Sequence, residues 1–248
     1  RLRKTTVSGY LNDCKKLSGL FVISNNLREY FLGKGIDENK IHIVNMTVDS
    51  TRFDNVSKHP GERYIAYCGN ASNDKDGVDQ LIKAFSITSK AYPDVKLYII
   101  GPKPASGIKF PNNELVKNLG LSDKVFFSGM VSSSEMPQIL KNASVLALNR
   151  PNNMQAKYGF PTKLGEYLLT GNPVVITRVG NIPLFLQDGV SAFIANPDQP
   201  EDFVAKLNQA LESKNSYEIG ERGRAVALKE FNYKIETKKI IDIILCDR

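Results

Sequence analysis

Cysteine and histidine are scarce, three and two in 248 residues. Cys14, Cys68 and Cys246 are scattered and odd in number, so they make neither a metal-ligand spacing nor a disulfide framework. A reducing, cytoplasmic setting is the expectation. His42 falls in a strand-like segment and His59 in a linker-like one. No Ser-His-Asp, Cys-His or metal cluster can be assembled from spacing, which leaves hydrolase readings without support. Long apolar runs are missing too. The longest, such as "KLYIIG" (residues 96–101), fall far short of the roughly 20 residues needed to cross hydrocarbon. No arginine-rich or zinc-finger element appears, and Lys and Arg are spread along the chain, so no nucleic-acid partner is expected. The first residue is Arg1 rather than Met, so the expectation is a fragment, whose missing start would hide a signal peptide.

What is present is a hydrophobic content of 42%, enough for one large core or two smaller ones, and a net charge of +7. That charge favours phosphates as partners and is compatible with peripheral association at an anionic membrane. Apolar strand-like runs alternate with amphipathic helical ones. "GLFVIS" (19–24), "KIHIV" (40–44), "RYIAYCG" (63–69), "VKLYIIG" (95–101), "KVFFSG" (124–129), "SVLALN" (144–149), "PVVIT" (173–177) and "SAFIAN" (191–196) read as strands. "DGVDQLIKAFSITSKAYP" (76–93) puts Val78, Leu81, Ile82 and Phe85 at helical spacing. Helices are also expected over residues 25–35 and 133–143, and at the end from 200 to about 211, from 217 to 231 and from 233 to 246. The polar, turn-rich stretch 45–62 reads as a linker. This alternation predicts an α/β fold, a Rossmann-like parallel sheet flanked by helices, with ligands beyond the C-terminal ends of the strands.

Three stretches at such ends stand out. In "YCGNASNDKDGVD" (67–79), Gly69 and Gly77 permit tight turns, and Lys75 and the backbone of Asn70 lie in reach of a phosphate at the next helix start. The "DKD" triplet fits an Asp-x-Asp metal motif, but a lysine between two carboxylates more often marks a solvated turn. An EF-hand register there puts Ser72 first and Lys83 where a glutamate is required, and is rejected. In "KYGFPTKLGEYLLTGNPVVITRVG" (157–180), Pro161 suits a helix start, and the amides of Thr162, Lys163 and Leu164 are expected to point out of it toward an anion. Lys163 adds a full charge. Glu166 lies one turn on and shares that face, where a carboxylate accepts both hydroxyls of a ribose. An unpartnered buried glutamate is costly, so a ligand is one explanation; pairing with Lys163 at the surface is the other. "TRVGNIPLFLQDGVSAFIAN" (177–196) is either a ligand-approaching glycine loop or a plain connection.

Taken in order, "GNASNDKDGVDQLIKAF", "LYIIG", "VFFSGMV", "KLGEYLLTGNPVVITRVG" and "DGVSAFIANPDQPEDFVAKL" resemble the C-terminal half of group 1 glycosyltransferases (glycosyltransferase family 4), which have the GT-B fold. "LSGLFVISNNLREYFLGKGIDENKIHIVNMTVDSTRF" resembles the end of that family's N-terminal domain. The resemblance implies residues 1–58 as the end of an acceptor-side domain and linker, 59–232 as the nucleotide-sugar domain, and 233–248 as a helix returning toward the first domain. It implies a retaining transferase acting on a nucleotide-diphosphate sugar, UDP- or GDP-linked, with a saccharide or lipid-linked acceptor, no cofactor and no Asp-x-Asp metal. Gly69, Asn70, Lys75, Thr162 and Lys163 would hold the diphosphate and Glu166 the ribose. Gly129, Met130 and Val131 would line the base, and Lys157, Tyr158 and Gly159 would face the sugar. Two positions depart from the family: Asn70 stands where a basic residue is common, and Tyr158 where the first motif glutamate falls. A sugar-nucleotide epimerase and a non-catalytic nucleotide-sugar module remain the alternatives, and the catalytic residues stay unassigned.

Overall fold

The computed structural model describes residues 7–59, 61–71, 74–105 and 108–246; the side chains of Asp74 and Cys246 lie outside the description. The chain opens with helix α1 (Val7–Lys16), strand β1 (Leu20–Val22), α2 (Asn25–Leu32) and β2 (Ile41–Ile43). The two strands pair in parallel, and Cys14, Val22, Phe31, Ile36 and Ile41 form a small core of their own. Ser24 starts α2 by accepting a hydrogen bond from the Leu27 amide at 3.1 Å.

Then follow β3 (Tyr64–Cys68), α3 (Val78–Ala91), β4 (Lys96–Ile100), α4 (Pro111–Asn118), β5 (Val125–Gly129), α5 (Met136–Asn142), β6 (Val145–Leu148), α6 (Met154–Tyr158), α7 (Lys163–Leu169), β7 (Val174–Thr177), α8 (Ile182–Phe185) and β8 (Phe193–Ala195). Three helices close the chain: α9 (Pro200–Glu212), α10 (Ser216–Glu230) and α11 (Tyr233–Cys246). The six strands from β3 onward form one parallel sheet in the order β5-β4-β3-β6-β7-β8. Between β3 and β6 the order reverses, the place where open α/β sheets form their ligand crevice.

The sequence explains this arrangement. Every residue of β6, β7 and β8 is buried, as unbroken apolar runs require when helices cover both faces. On α3 the residues at helical spacing, Val78, Leu81, Ile82 and Phe85, are all buried. On α9 the stripe is Phe203, Val204, Leu207 and Ala210. Gly77 initiates α3 in the left-handed region (φ 58°), and a Cβ there would run into the Asn149 carbonyl; this glycine lets the loop after β3 lie directly against the segment after β6.

The polar stretch read as a linker turns out to be held. Met46, Val48 and Phe53 are buried in the main core, and the Val48 amide donates to the Phe231 carbonyl at 2.8 Å. Glu236, at the start of α11, accepts from the Asn45 amide at 2.9 Å. A short 3-10 turn, Ser50–Phe53, is capped by the Asp49 carboxylate. Three helices, α1, α4 and α6, were not anticipated from sequence. Cys14 and Cys68 are free thiols. No helix among the described residues is long and apolar enough to cross a membrane.

Candidate functional site

Three backbone strands end side by side at glycines. The Gly69 amide donates to Ile100 at 2.8 Å, and the Gly101 amide donates to Gly129 at 3.0 Å. Gly69 adopts φ 156°, and a Cβ on it would lie 2.5 Å from the Lys163 Nζ, so the ammonium rests directly over bare backbone. That ammonium is held from beneath. Lys163 pairs with Oδ2 of Asp76, which also accepts from the Tyr67 hydroxyl at 2.9 Å, and Nζ sits 4.8 Å above the centroid of the Tyr67 ring. Oδ1 of Asp76 faces Nε of Arg150 at 3.5 Å.

This cluster lies at the sheet's C-terminal edge. Tyr67 is on β3, Arg150 follows β6, Asp76 precedes α3 and Lys163 begins α7. Asp76 and Arg150 are 4% and 1% exposed, and among the described residues Nε and Nη1 of Arg150 find no hydrogen-bond partner. Burial pushes the Asp76 carboxyl up, but Lys163, Tyr67 and Arg150 outweigh it and hold the group below the usual carboxylate range. Burial lowers Arg150, with Asp76 opposing. Burial, with Asp76 adding to it, pushes the Tyr67 hydroxyl far up, which keeps it a donor. Arg150, Lys163 and Asp76 together carry one positive charge in excess. That excess suits an anion.

Glu166 has a different partner. Its Oε1 accepts from Nη1 of Arg52, on the 3-10 turn, and Nη2 of the same guanidinium donates to the Ser133 carbonyl at 2.8 Å. A cavity of about 340 Å³ opens here, walled by Val48, Asp49, Arg52, Thr162, Lys163 and Glu166. The two α7 side chains expected to act together do share a crevice.

Several expectations are corrected. Glu166 is neither buried nor unpartnered, since its side chain is 24% exposed and bound to Arg52; the argument from an orphaned carboxylate falls, and so does its pairing with Lys163. The "DKD" triplet is not a solvated turn, because Asp76 is buried. Helix α7 has seven residues, and the Leu164 amide is taken by the Pro161 carbonyl at 3.0 Å. The ammonium of Lys163 therefore matters more than three open amides.

Six of the remaining candidates lie along the same rim and three do not. Lys75 lies on the Asp74–Asp76 turn beside the cluster, partly buried, and Asn70 and Thr162 are exposed. Gly129 ends the edge strand with Lys103 packed over it, Met130 is 78% exposed, and Val131 packs on the main core. Lys157, Tyr158 and Gly159 stand elsewhere, at the end of α6. The carbonyls of Lys157 and Tyr158 accept from Asn26 and Ser24 at 2.8 and 2.5 Å, and the Tyr158 ring meets Tyr30 edge-on. Arg52, Tyr67, Asp76 in its holding position, and Arg150 were missed. No local motif marks them, because each acts on a partner far along the chain. Among the described residues, no three His, Cys, Asp or Glu side chains gather as a metal site.

The family model described as "Glycosyl transferases group 1" matches residues 49–226, more than half of the chain. The chain belongs to the group 1 glycosyl transferases. Among curated proteins, it is 26% identical over 217 residues to the MMP alpha-(1->4)-mannosyltransferase of Mycolicibacterium hassiacum, covering 87% of this chain and 50% of that protein. It is 26% identical over 201 residues to the mannosylfructose-phosphate synthase of Agrobacterium fabrum, covering 74% and 42%. This glycosyl transferase chain thus spans about half the length of the curated relatives it matches. Its fold is that of the Anabaena protein Alr3699/HepE, solved in complex with UDP and glucose: TM-score 0.81 at 17% identity, covering 96% of this chain and 66% of that one. The parallel six-strand sheet and its helices are the Rossmann-like half of a GT-B glycosyltransferase fold.

Proposed function

We propose that this chain is the donor-binding part of a retaining glycosyltransferase that takes a nucleotide-diphosphate sugar and passes the sugar to a saccharide or lipid-linked acceptor. The observation that carries the reading is the shared crevice, in which Lys163 and Glu166 line one cavity at the point where the strand order reverses. Lys163, fixed over Gly69, meets the diphosphate and neutralises charge as the glycosidic bond to phosphate breaks, while Lys75, Asn70 and Thr162 lie along the same rim. Glu166 accepts the ribose hydroxyls, and the backbone at Gly129, Met130 and Val131 runs beside the base. Lys157, Tyr158 and Gly159, outside this cavity at the end of α6, are given to the sugar by the family resemblance alone.

A fold neighbour solved with UDP supports a nucleotide-diphosphate sugar as donor, which this reading takes as UDP- or GDP-linked. In this reading residues 59–232 make the donor domain. Residues 1–58 end the acceptor side and cross over, and 233–248 return toward it, in keeping with the two cores and with the Glu236–Asn45 contact. The whole protein works at the cytoplasmic face of a membrane, toward which its positive charge is suited.

A thermal-shift panel of UDP-, GDP- and ADP-sugars on this chain tests the donor site. A ligand at a hundred times its Kd adds about 2.7 kcal/mol of stability, so the right nucleotide raises Tm clearly. If every nucleotide leaves Tm unmoved, the donor site is misassigned. Transfer by the full-length protein, lost in Glu166→Ala, tests the reaction itself.

A further inference from the structure

We infer that Arg52 is a positioning residue for ribose recognition: it sits on the segment that crosses into the donor domain and sets the Glu166 carboxylate toward the sugar hydroxyls. The inference rests on the donor-site reading above. It starts from a pair separated by 114 positions in sequence. Arg52 is itself fixed at both ends of its planar fork, Nη1 on Glu166 and Nη2 on the Ser133 carbonyl at 2.8 Å. Its backbone turn is fixed as well. Asp49 caps the Thr51 amide at 3.0 Å and the Thr51 hydroxyl at 2.7 Å, and Phe53, the next residue along, is buried in the main core. A guanidinium held at its other end by a backbone carbonyl, on a turn that is itself capped and anchored, gives its partner one direction.

The alternative is that Arg52 blocks the site and must leave before ribose binds. Counting acceptors decides against it. A carboxylate offers two oxygens and about four lone-pair positions. Arg52 engages Oε1, and among the described contacts Oε2 has no partner. A pair of vicinal hydroxyls therefore finds acceptor capacity without displacing the arginine.

The test compares UDP and GDP with their 2′,3′-dideoxy counterparts and with inorganic pyrophosphate, by calorimetric titration of the wild-type chain and of Arg52→Gln, Arg52→Lys and Glu166→Gln. Wild type should prefer the ribonucleotide it binds over its dideoxy form by about tenfold or more, the worth of hydrogen bonds to a charged group. Glu166→Gln should shrink that ratio, and Arg52→Gln should shrink it to within about threefold; both nucleotides of the ratio carry the same diphosphate, so a change in anion affinity cancels from it. Retained pyrophosphate binding, at whatever affinity, shows that the variant is folded. Arg52→Lys keeps the charge but loses the fork, and should fall between the two. If wild type shows no ribose preference, the donor-site reading has failed. If wild type and Glu166→Gln behave as stated but Arg52→Gln keeps the full ratio, or binds the ribonucleotide more tightly than wild type, this inference alone is overturned.

Discussion

Asp76, buried beneath Lys163, and Glu166, in the cavity that Lys163 lines, each hold a cation, yet they are built to opposite specifications. Asp76 is 4% exposed and uses both oxygens, Oδ1 toward Arg150 and Oδ2 on Lys163 and Tyr67. The Glu166 side chain is 24% exposed and commits one oxygen to Arg52. A carboxylate with all its capacity used inside the protein serves the fold and fixes its neighbours. One with capacity left over, facing a cavity, can take a ligand. Acidic residues of equal formal charge thus divide into structural and recognition roles by how many acceptors remain open.

The largest effect that could break this contrast is on stability. Asp76→Ala removes the partner of a guanidinium that cannot reach water, and should cost about 3–5 kcal/mol in urea unfolding. Lys163→Met should cost far less, because Asp76 keeps Arg150 and Tyr67. A loss under about 1 kcal/mol for Asp76→Ala would mean the cluster is not the buried, closed unit described. The same carboxyl predicts an acid limb. Its folded pKa lies below the ordinary value near 3.8, so its contribution is fully present above about pH 4. It is then lost as pH falls through the folded pKa. Asp76→Asn should flatten that limb of the stability curve, read as urea midpoint against pH.

Next in size is binding. Lys163→Met removes the ammonium over Gly69 and should weaken pyrophosphate by about tenfold or more, on the scale of a charge-assisted hydrogen bond. Because the side chain is partly open to solvent, added salt should narrow the difference between variant and wild type. Unaltered pyrophosphate binding in this variant would move the anion site elsewhere on the rim, with Lys75 the next residue to replace.

How far these roles could be read from sequence follows from the distance between partners. The strand "RYIAYCG" and the helix beginning "DGVDQLIKAF" are legible because periodicity and burial are local properties. The closing helix was placed at 233–246, where α11 lies. That Lys163 and Glu166 share a face follows from helical spacing alone. The identity of their partners does not. Asp76 and Arg52 reach Lys163 and Glu166 across 87 and 114 positions, and only the folded sheet brings them together. Arg52 was hidden further by its setting. A polar, turn-rich stretch looks like a loose connector, although Met46, Val48 and Phe53 within it are buried. Helix α4 escaped notice because its apolar stripe is thin, with Val116 alone fully buried among its eight residues.

The smallest effects sharpen the contrast by their size. Glu166→Gln breaks a half-open pair, leaves no buried charge behind, and should change stability by no more than about 1 kcal/mol even as ribose preference falls. Arg63 and Asp94 form an ion pair at 2.8 Å whose side chains are 44% and 56% exposed. Its geometry is at least as good as that of Arg150 with Asp76 at 3.5 Å. If distance decided worth, Asp94→Asn would be the costlier change. If burial decides, water replaces the lost partner and Asp94→Asn should shift stability by about 0.5 kcal/mol or less in the same urea series. A cost near that of Asp76→Ala would show that the difference between Asp76 and Glu166 lies in something other than solvent access.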